Sequence, residues 1–295
     1  MNLHRRKRSA RYVGPDTHAI ITGGSSGIGL ATARQLARRG ARVSLIARTK
    51  SGLDRAAAEL ESHGATVVTA AVDVSDRIAV DGAVAELVSR QGVCDVLVTA
   101  AGITHPGYFR ELADEPFREV MDTNYFGTLW PIRSVVPSMI ERGNGRVIGI
   151  SSIIGMYGTF GYTAVSPAKF AIRGLFESLR DELTPYGVHV GYICPPDVDT
   201  PHFAYEQPLL PDEYKEFASA MAVLPPERVA TAVVRSIERR KTRMVLGTAN
   251  RVAVATFGLI PSALHWYVDR VVRKVRRRRH HHRRRKAAGR ATQQV

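Results

Sequence analysis

The chain has 295 residues, an apolar share of 44% and a formal net charge of +15. That length suits one large α/β domain with a substantial core, and the apolar share excludes a disordered or fibrous chain. The charge sits at the ends. Residues 1–15 hold five Arg or Lys and residues 270–295 hold twelve, with no acid in either stretch, which leaves the middle at about −2. The folded body therefore gives no sign of a nucleic-acid surface. Cys94 and Cys194 lie far apart without Cys or His companions. Neither a metal centre nor a disulfide framework is expected, and both read as buried thiols of a reducing compartment. No apolar run follows the basic N-terminus, so no secretory signal is expected and the location reads as cytoplasmic.

Residues 1–16 read as a basic flexible arm ending in Gly14-Pro15. From His18 onward, short apolar runs alternate with amphipathic ones. Strands are predicted at residues 19–21, 42–47, 66–72, 96–99, 146–151, 188–194 and 244–246. Helices are predicted from the turn at 22–29 to near Gly40, then over 51–63, 76–90, 116–141, 162–184 and 226–240. Pro131 and Pro137 are expected to kink the long fourth helix. This alternation predicts a doubly wound, Rossmann-type parallel sheet of about seven strands with helices on both faces. Such sheets bind ligands beyond the carboxyl ends of their strands, where the motifs below fall. The domain is expected to span 17–250.

The first of these ends is the turn Thr22-Gly-Gly-Ser-Ser-Gly-Ile-Gly29. Gly23, Gly27 and Gly29 permit a tight turn and a close approach to a pyrophosphate, with Ser25, Ser26 and Ile28 alongside at a helix N-terminus. The second strand ends in Ala47-Arg48-Thr49-Lys50. A carboxylate there would suit the ribose 2′-hydroxyl of NAD, whereas the planar fork of Arg48 suits a 2′-phosphate. The expected cofactor is therefore NADP(H), and a solvated surface arginine is the plainer alternative. Asp73 and Val74 end the third strand at the expected adenine position, although Asp73 could equally cap the next helix. Gly102 ends the fourth strand where backbone must approach the cofactor.

These features, with Asn124 in Asn-Tyr-Phe-Gly, Ser152, Lys169 and Pro195-Pro-Asp-Val-Asp-Thr200, resemble the classical short-chain dehydrogenase/reductase family over roughly residues 17–250. Within it, Phe160-Gly-Tyr-Thr-Ala, Lys169-Phe-Ala-Ile-Arg-Gly-Leu and Pro195-Pro-Asp-Val-Asp-Thr-Pro201 resemble the 3-ketodihydrosphingosine (3-dehydrosphinganine) reductases. The resemblance implies that Ser152 holds the substrate oxygen and Lys169 the nicotinamide ribose. It implies that Asn124 supports the lysine through water, and that Val198 and Thr200 contact the cofactor. Plainer readings are a strand-end hydroxyl, a solvated helix lysine and a mid-helix polar contact. The resemblance also implies a proton-donating tyrosine four residues before Lys169, where this chain has Val165. Tyr162, on a helix predicted from 162, would lie about 10 Å along the axis from the lysine, too far to take that place. Tyr157, on the loop after Ser152, could reach the substrate without being fixed beside the lysine. Pro167 is expected to kink the helix unless it falls in the first turn, and Ala100 stands where the family often has asparagine.

The resemblance implies a substrate lid over 201–224, which holds Phe203, Tyr205, Leu209, Leu210, Tyr214, Phe217 and Met221 and suits a greasy substrate or packing on the core equally. Residues 252–268 contain no Asp, Glu, Lys or Arg, and Gly258 and Pro261 interrupt them. Trp266 and Tyr267 precede a polybasic run. Residues 251–275 therefore read as a segment for an anionic membrane surface, on the cytoplasmic face, or as a packing or dimer interface. Residues 276–295 read as a disordered basic tail. The leading expectation is an NADP(H)-dependent reductase of a lipid ketone or its alcohol, and the resemblance implies homo-oligomers. The alternatives are a cofactor-binding protein without turnover and a membrane or nucleic-acid adaptor acting through the tail.

Overall fold

The structure is a computed structural model. It describes residues 11–219, 223–260 and, from 261 to 278, all but 261, 263, 264 and 267. Residues 1–10, Met221, Pro261, Tyr267 and the tail from 279 lie outside the described residues.

Seven strands form one sheet: β1 (His18–Thr22), β2 (Arg42–Ala47), β3 (Val67–Ala71), β4 (Val96–Thr99), β5 (Gly145–Ile150), β6 (Val188–Cys194) and β7 (Arg243–Val245). The order is β3-β2-β1-β4-β5-β6-β7, and every pairing is parallel. β1, β4, β5 and β6 are buried along their whole length. Strands buried end to end form because helices cover both faces of a parallel sheet. On one face lie α1 (Gly27–Ala37), α2 (Lys50–Glu61) and α9 (Pro226–Arg239), through Leu36, Leu53, Leu60, Val233 and Ile237. On the other lie α3 (Arg77–Gln91), α5 (Gly127–Glu141) and α6 (Val165–Leu183), through Leu87, Ile132, Met139, Ile172 and Phe176. Gly149 of β5 is needed there, because a Cβ would collide with the Phe176 ring. Strand order reverses between β1 and β4, and their carboxyl ends diverge around a crevice.

Two local features differ from expectation close to that crevice. The long fourth helix is α4 (Glu115–Val120), a π turn (Met121–Phe126) and α5, with Asn124 inside the widened turn. The helix expected from residue 162 begins at Val165. Tyr162 precedes it, and its carbonyl accepts the N–H groups of Val165 (3.0 Å) and Ser166 (2.8 Å). Pro167 thus falls in the first turn, where no intrahelical N–H bond is lost and no kink follows.

The lid folds as α7 (Pro201–Glu206) and α8 (Asp212–Ala218). Its base is tied by a parallel bridge between Val198 and Leu224. After β7, α10 (Thr248–Leu259) is followed by helical residues 268–278. Val271 and Val275 of that segment are buried, and Lys274 pairs with Glu216 of α8 at 2.6 Å. At the other end, residues 11–16 are docked rather than flexible. Val13 is buried, the Tyr12 N–H donates to Glu238 (2.9 Å), and the Arg146 guanidinium lies 3.8 Å from the Tyr12 ring centre. A tyrosine and a valine adjacent in sequence give the arm an apolar foothold.

Candidate active site

The crevice is a cleft of about 370 Å³ at the carboxyl ends of β1, β2, β4, β5 and β6. Its first end is the glycine turn, with Gly23, Ser25, Ser26, Gly27, Ile28 and Gly29 all on the wall. Gly23 has φ +66°, and a Cβ there would lie 2.8 Å from the Ala100 and Ala101 backbone. A Cβ on Gly29 would overlap the Gly23 carbonyl. The turn therefore lies flat against the end of β4, which brings backbone and α1's N-terminus to the cleft. Ser26, the N-cap, is extended and makes no side-chain capping bond to α1. The helix end is thus left as a donor surface for an anion. Thr200 closes over it: its Cγ2 lies 3.1 Å from the position of a Cβ on Gly27, and its hydroxyl caps α7 through the Phe203 N–H (3.2 Å).

Arg48 and Thr49 line the far rim beside Val72 and Val74, without a carboxylate among these four. Gly127 packs so closely on Val74 that a Cβ would lie 2.5 Å from its Cγ2. Asp73 is not on the wall. Its carboxylate accepts the N–H (2.9 Å) and hydroxyl (2.7 Å) of Ser75, and the cap of α3 is Asp76, through the Ala79 N–H (3.1 Å). A short side chain beside its own turn found a local partner, and the helix cap weighed for Asp73 belongs to Asp76 instead. A cradle for pyrophosphate, an apolar slot and a guanidinium at the rim fit a phosphorylated dinucleotide.

At the other end the structure brings Gly102, Ser152, Val165, Lys169 and Val198 to the same cleft. Val165 and Lys169 share a face of α6 one turn apart. Ser152 caps the short 3₁₀ turn Ile153–Gly155 through the Ile154 N–H (3.3 Å), and its hydroxyl reaches the Pro195 carbonyl (3.4 Å). The Lys169 ammonium donates to the Ile150 carbonyl (3.3 Å), and burial pulls its pKa down to about 8. Asn124 is fully buried behind the wall. Its amide accepts the Ile103 N–H (2.8 Å) and donates to the Ile103 carbonyl (3.0 Å). A Cβ on Gly102 would lie 3.0 Å from Asn124 Oδ1 and 3.7 Å from Lys169 Nζ. Asn124 therefore pins the strand-end loop that runs past the lysine, and its side chain is committed to that loop.

Sequence reading did not single out a second group of residues here. Glu206, at the end of α7, accepts a hydrogen bond from the Thr104 hydroxyl (3.0 Å) and is only 6% exposed. Burial pushes its carboxyl up to about 7. The Tyr162 phenol lies near this carboxyl, and its ring meets that of Tyr214 edge-on with centroids 4.8 Å apart. The Tyr214 hydroxyl donates to both oxygens of Asp197 (3.1 and 3.3 Å), whose acidity burial weakens. Glu206, Tyr162, Tyr214 and Asp197 all line the cleft. In the sequence Asp197 stands out in Pro-Pro-Asp, Tyr162 only as a phenol set too far from Lys169, and Tyr214 only among the lid's aromatics. Tyr157, weighed as a substitute phenol, instead packs in a separate hollow with Phe217 and Val268. Of the lid's other aromatics, Phe203 lines the cleft and Tyr205 is exposed. Cys94 and Cys194 are buried thiols, each pushed up to about 12.

Known proteins resemble this chain over most of its length. The profile of the family described as short chain dehydrogenase matches residues 17–208. The 3-ketodihydrosphingosine reductase of Bos taurus is 40% identical over 226 residues, 75% of this chain and 68% of that protein. Its counterpart in Dictyostelium discoideum is 33% identical over 263 residues, covering 83% and 79%. Among solved structures, levodione reductase superposes with a TM-score of 0.76 at 26% identity, covering 81% of this chain and 99% of that one. An actinorhodin polyketide ketoreductase solved with NADPH gives 0.72 at 31% identity, covering 78% and 95%. The chain belongs to the short-chain dehydrogenase family of oxidoreductases.

Proposed function

We propose that the protein is an NADP(H)-dependent reductase acting on the ketone of a long-chain lipid such as 3-ketosphinganine. The observation that carries this reading is one continuous cleft. It runs from the glycine turn and Arg48 to Ser152 and Lys169. The bound nicotinamide supplies the hydride. The α1 N-terminus and the turn hold the pyrophosphate, and Arg48 meets the 2′-phosphate. The Lys169 ammonium orients the ribose and stabilises negative charge that develops on the substrate oxygen, while the Ser152 hydroxyl donates to that oxygen. The apolar Tyr214, Phe203 and Val165 flank the same end and suit an alkyl ketone. The names of the Bos taurus and Dictyostelium discoideum relatives support the sphingoid substrate.

Val252, Leu259, Ile260 and Trp266 are exposed, with Arg251 and Arg270 nearby. Among the described residues no helix is long and apolar enough to cross a membrane. Peripheral contact with an anionic membrane, from the cytoplasmic side, suits this surface and a lipid substrate.

A second reading, a cofactor-binding protein without turnover, is favoured by Val165. This residue stands four before Lys169, where the family's proton-donating tyrosine is expected, and valine has no proton to give. Oxidation of NADPH with 3-ketosphinganine and with shorter ketones, in wild type and Val165→Tyr, separates the two. The reductase reading expects turnover in wild type that Lys169→Ala or Ser152→Ala abolishes. Tight NADPH binding without turnover, gained only by Val165→Tyr, would establish the second reading.

A further inference from the structure

Reduction of a ketone requires two things to arrive at the carbonyl. A hydride forms the new C–H bond, the C=O π pair moves onto oxygen, and that oxygen must take a proton. With valine at position 165, the acid that α6 brings to the cleft is the Lys169 ammonium, which donates to the Ile150 carbonyl (3.3 Å) and is assigned to the ribose and to charge on the substrate oxygen. A separate donor must reach the cleft from another element, must carry a proton near neutral pH, and must be shielded from bulk water.

Glu206 meets these requirements by its position. It is 6% exposed, lines the cleft with Val165, Lys169 and Ser152, and lies at the end of the lid helix that starts on Thr200. Thr104, which holds one of its oxygens at 3.0 Å, is two residues beyond Gly102 on the loop against Lys169 Nζ. The titratable groups facing it are Tyr162 from the turn before α6, Asp197 from the end of β6 and Tyr214 from α8, and His202 of α7 and Lys169 of α6 share the cleft wall. Burial pulls His202 down to about 4, so it is uncharged near neutrality, and the negative field of Asp197 adds to burial in favouring the protonated carboxyl. Tyr162 is placed to orient Glu206 rather than to replace it, because burial beside Tyr214 and the two acids makes its phenol hold its proton more firmly than an ordinary tyrosine.

We infer that the Glu206 carboxyl is the proton donor to the substrate oxygen, in place of a tyrosine at position 165. This rests on the reading of the site as a carbonyl reductase. As hydride forms the C–H bond, the O–H bond of Glu206 breaks and its proton passes to the carbonyl oxygen. The products are the alcohol and a Glu206 carboxylate, which takes a proton back from solvent as the alcohol leaves. Tyr162 and Thr104 are positioning residues that steady the carboxylate between turnovers.

The test uses the full chain, NADPH and 3-ketosphinganine, with turnover measured from pH 5.5 to 9 and NADPH binding followed by fluorescence. Wild type is expected to lose rate as pH rises through about 7, a limb that belongs to the coupled Glu206–Asp197 pair. Glu206→Gln keeps the shape and loses the proton. It should slow turnover ~10²–10⁴-fold and move the limb from about 7 to that of Lys169 at about 8 while NADPH binding stays within about threefold. Glu206→Asp should be slower but keep the limb. Adding Val165→Tyr to Glu206→Gln should restore at least about tenfold, because the family's acid would then be present. Tyr162→Phe should retain most turnover.

If Glu206→Gln turns over at the wild-type rate with its limb intact, or Tyr162→Phe alone abolishes turnover, this inference fails and the reductase reading stands. If wild type binds NADPH but reduces no ketone, the reductase reading fails and this inference with it. Should Glu206→Gln not fold, the carboxyl ¹³C resonance of Glu206 in wild type decides the matter. Titration in the ordinary carboxylate range would overturn the inference.

Discussion

Replacing Glu206 with Gln changes stability in a way that depends on pH and needs no substrate. An exposed glutamate titrates near 4.5, and burial beside Asp197 moves this one to about 7. Below about 4.5 both the folded and the unfolded chain hold the proton, so the residue carries no charge penalty in either state. As pH rises, the unfolded chain ionises first while the folded chain keeps its proton, so unfolding becomes progressively easier. The loss is complete at about 7, and the difference between 4.5 and 7 amounts to about 3 kcal/mol. Gln does not ionise, so stability of Glu206→Gln minus that of wild type should rise by about 3 kcal/mol from pH 4.5 to 8. Taking the difference cancels every other titrating group except Asp197, whose own titration relaxes when its neighbour loses its charge. Urea unfolding of both proteins at half-unit pH steps measures it, and any constant offset from the amide is irrelevant to the slope. A difference that stays flat to within about 0.5 kcal/mol across the window would refute a buried, proton-holding carboxyl at this position.

Gly23→Ala forces an alanine to φ +66° with its Cβ 2.8 Å from the Ala100 and Ala101 backbone. The left-handed conformation alone costs about 1–2 kcal/mol. The turn must also move off β4, so NADPH affinity should fall at least about tenfold with the sheet intact by circular dichroism. Unchanged affinity would show that the turn does not hold the pyrophosphate. Arg48→Asp removes a guanidinium and supplies a carboxylate for the ribose hydroxyls. Preference for NADPH over NADH, from paired binding titrations, should fall ~10–100-fold, as expected for loss of a charge-assisted hydrogen bond. An unaltered preference would reduce Arg48 to a solvated rim residue.

The doubly wound sheet, the glycine turn and the Ser152–Lys169 pair were legible in the sequence because each follows a local rule. Buried parallel strands need unbroken apolar runs, and a turn pressed on backbone needs glycine. Lys169 is separated from position 165 by one helical turn, so the valine was readable from spacing once the family resemblance was drawn. The start of α6 was missed because Tyr162 and Val165 both fit the helical pattern. Only the bonds to the Tyr162 carbonyl showed that the helix begins after it. Asp73 read equally as an adenine contact or a helix cap because a strand-end acid looks the same in sequence whether it faces a ligand, caps a helix or bonds to Ser75 two residues on. The C-terminal segment divided in the same way. Val271 and Val275 dock on the domain while Val252 and Leu259 face outward, a choice set by whether α8 lies opposite. The acid cluster was beyond any local rule. Thr104, Tyr162, Asp197, Glu206 and Tyr214 come from five separate segments. In sequence each is an ordinary polar residue. They meet because the order of β4, β5 and β6 brings their following loops together under α7 and α8, and exclusion of water there raises the Glu206 carboxyl well above an ordinary glutamate.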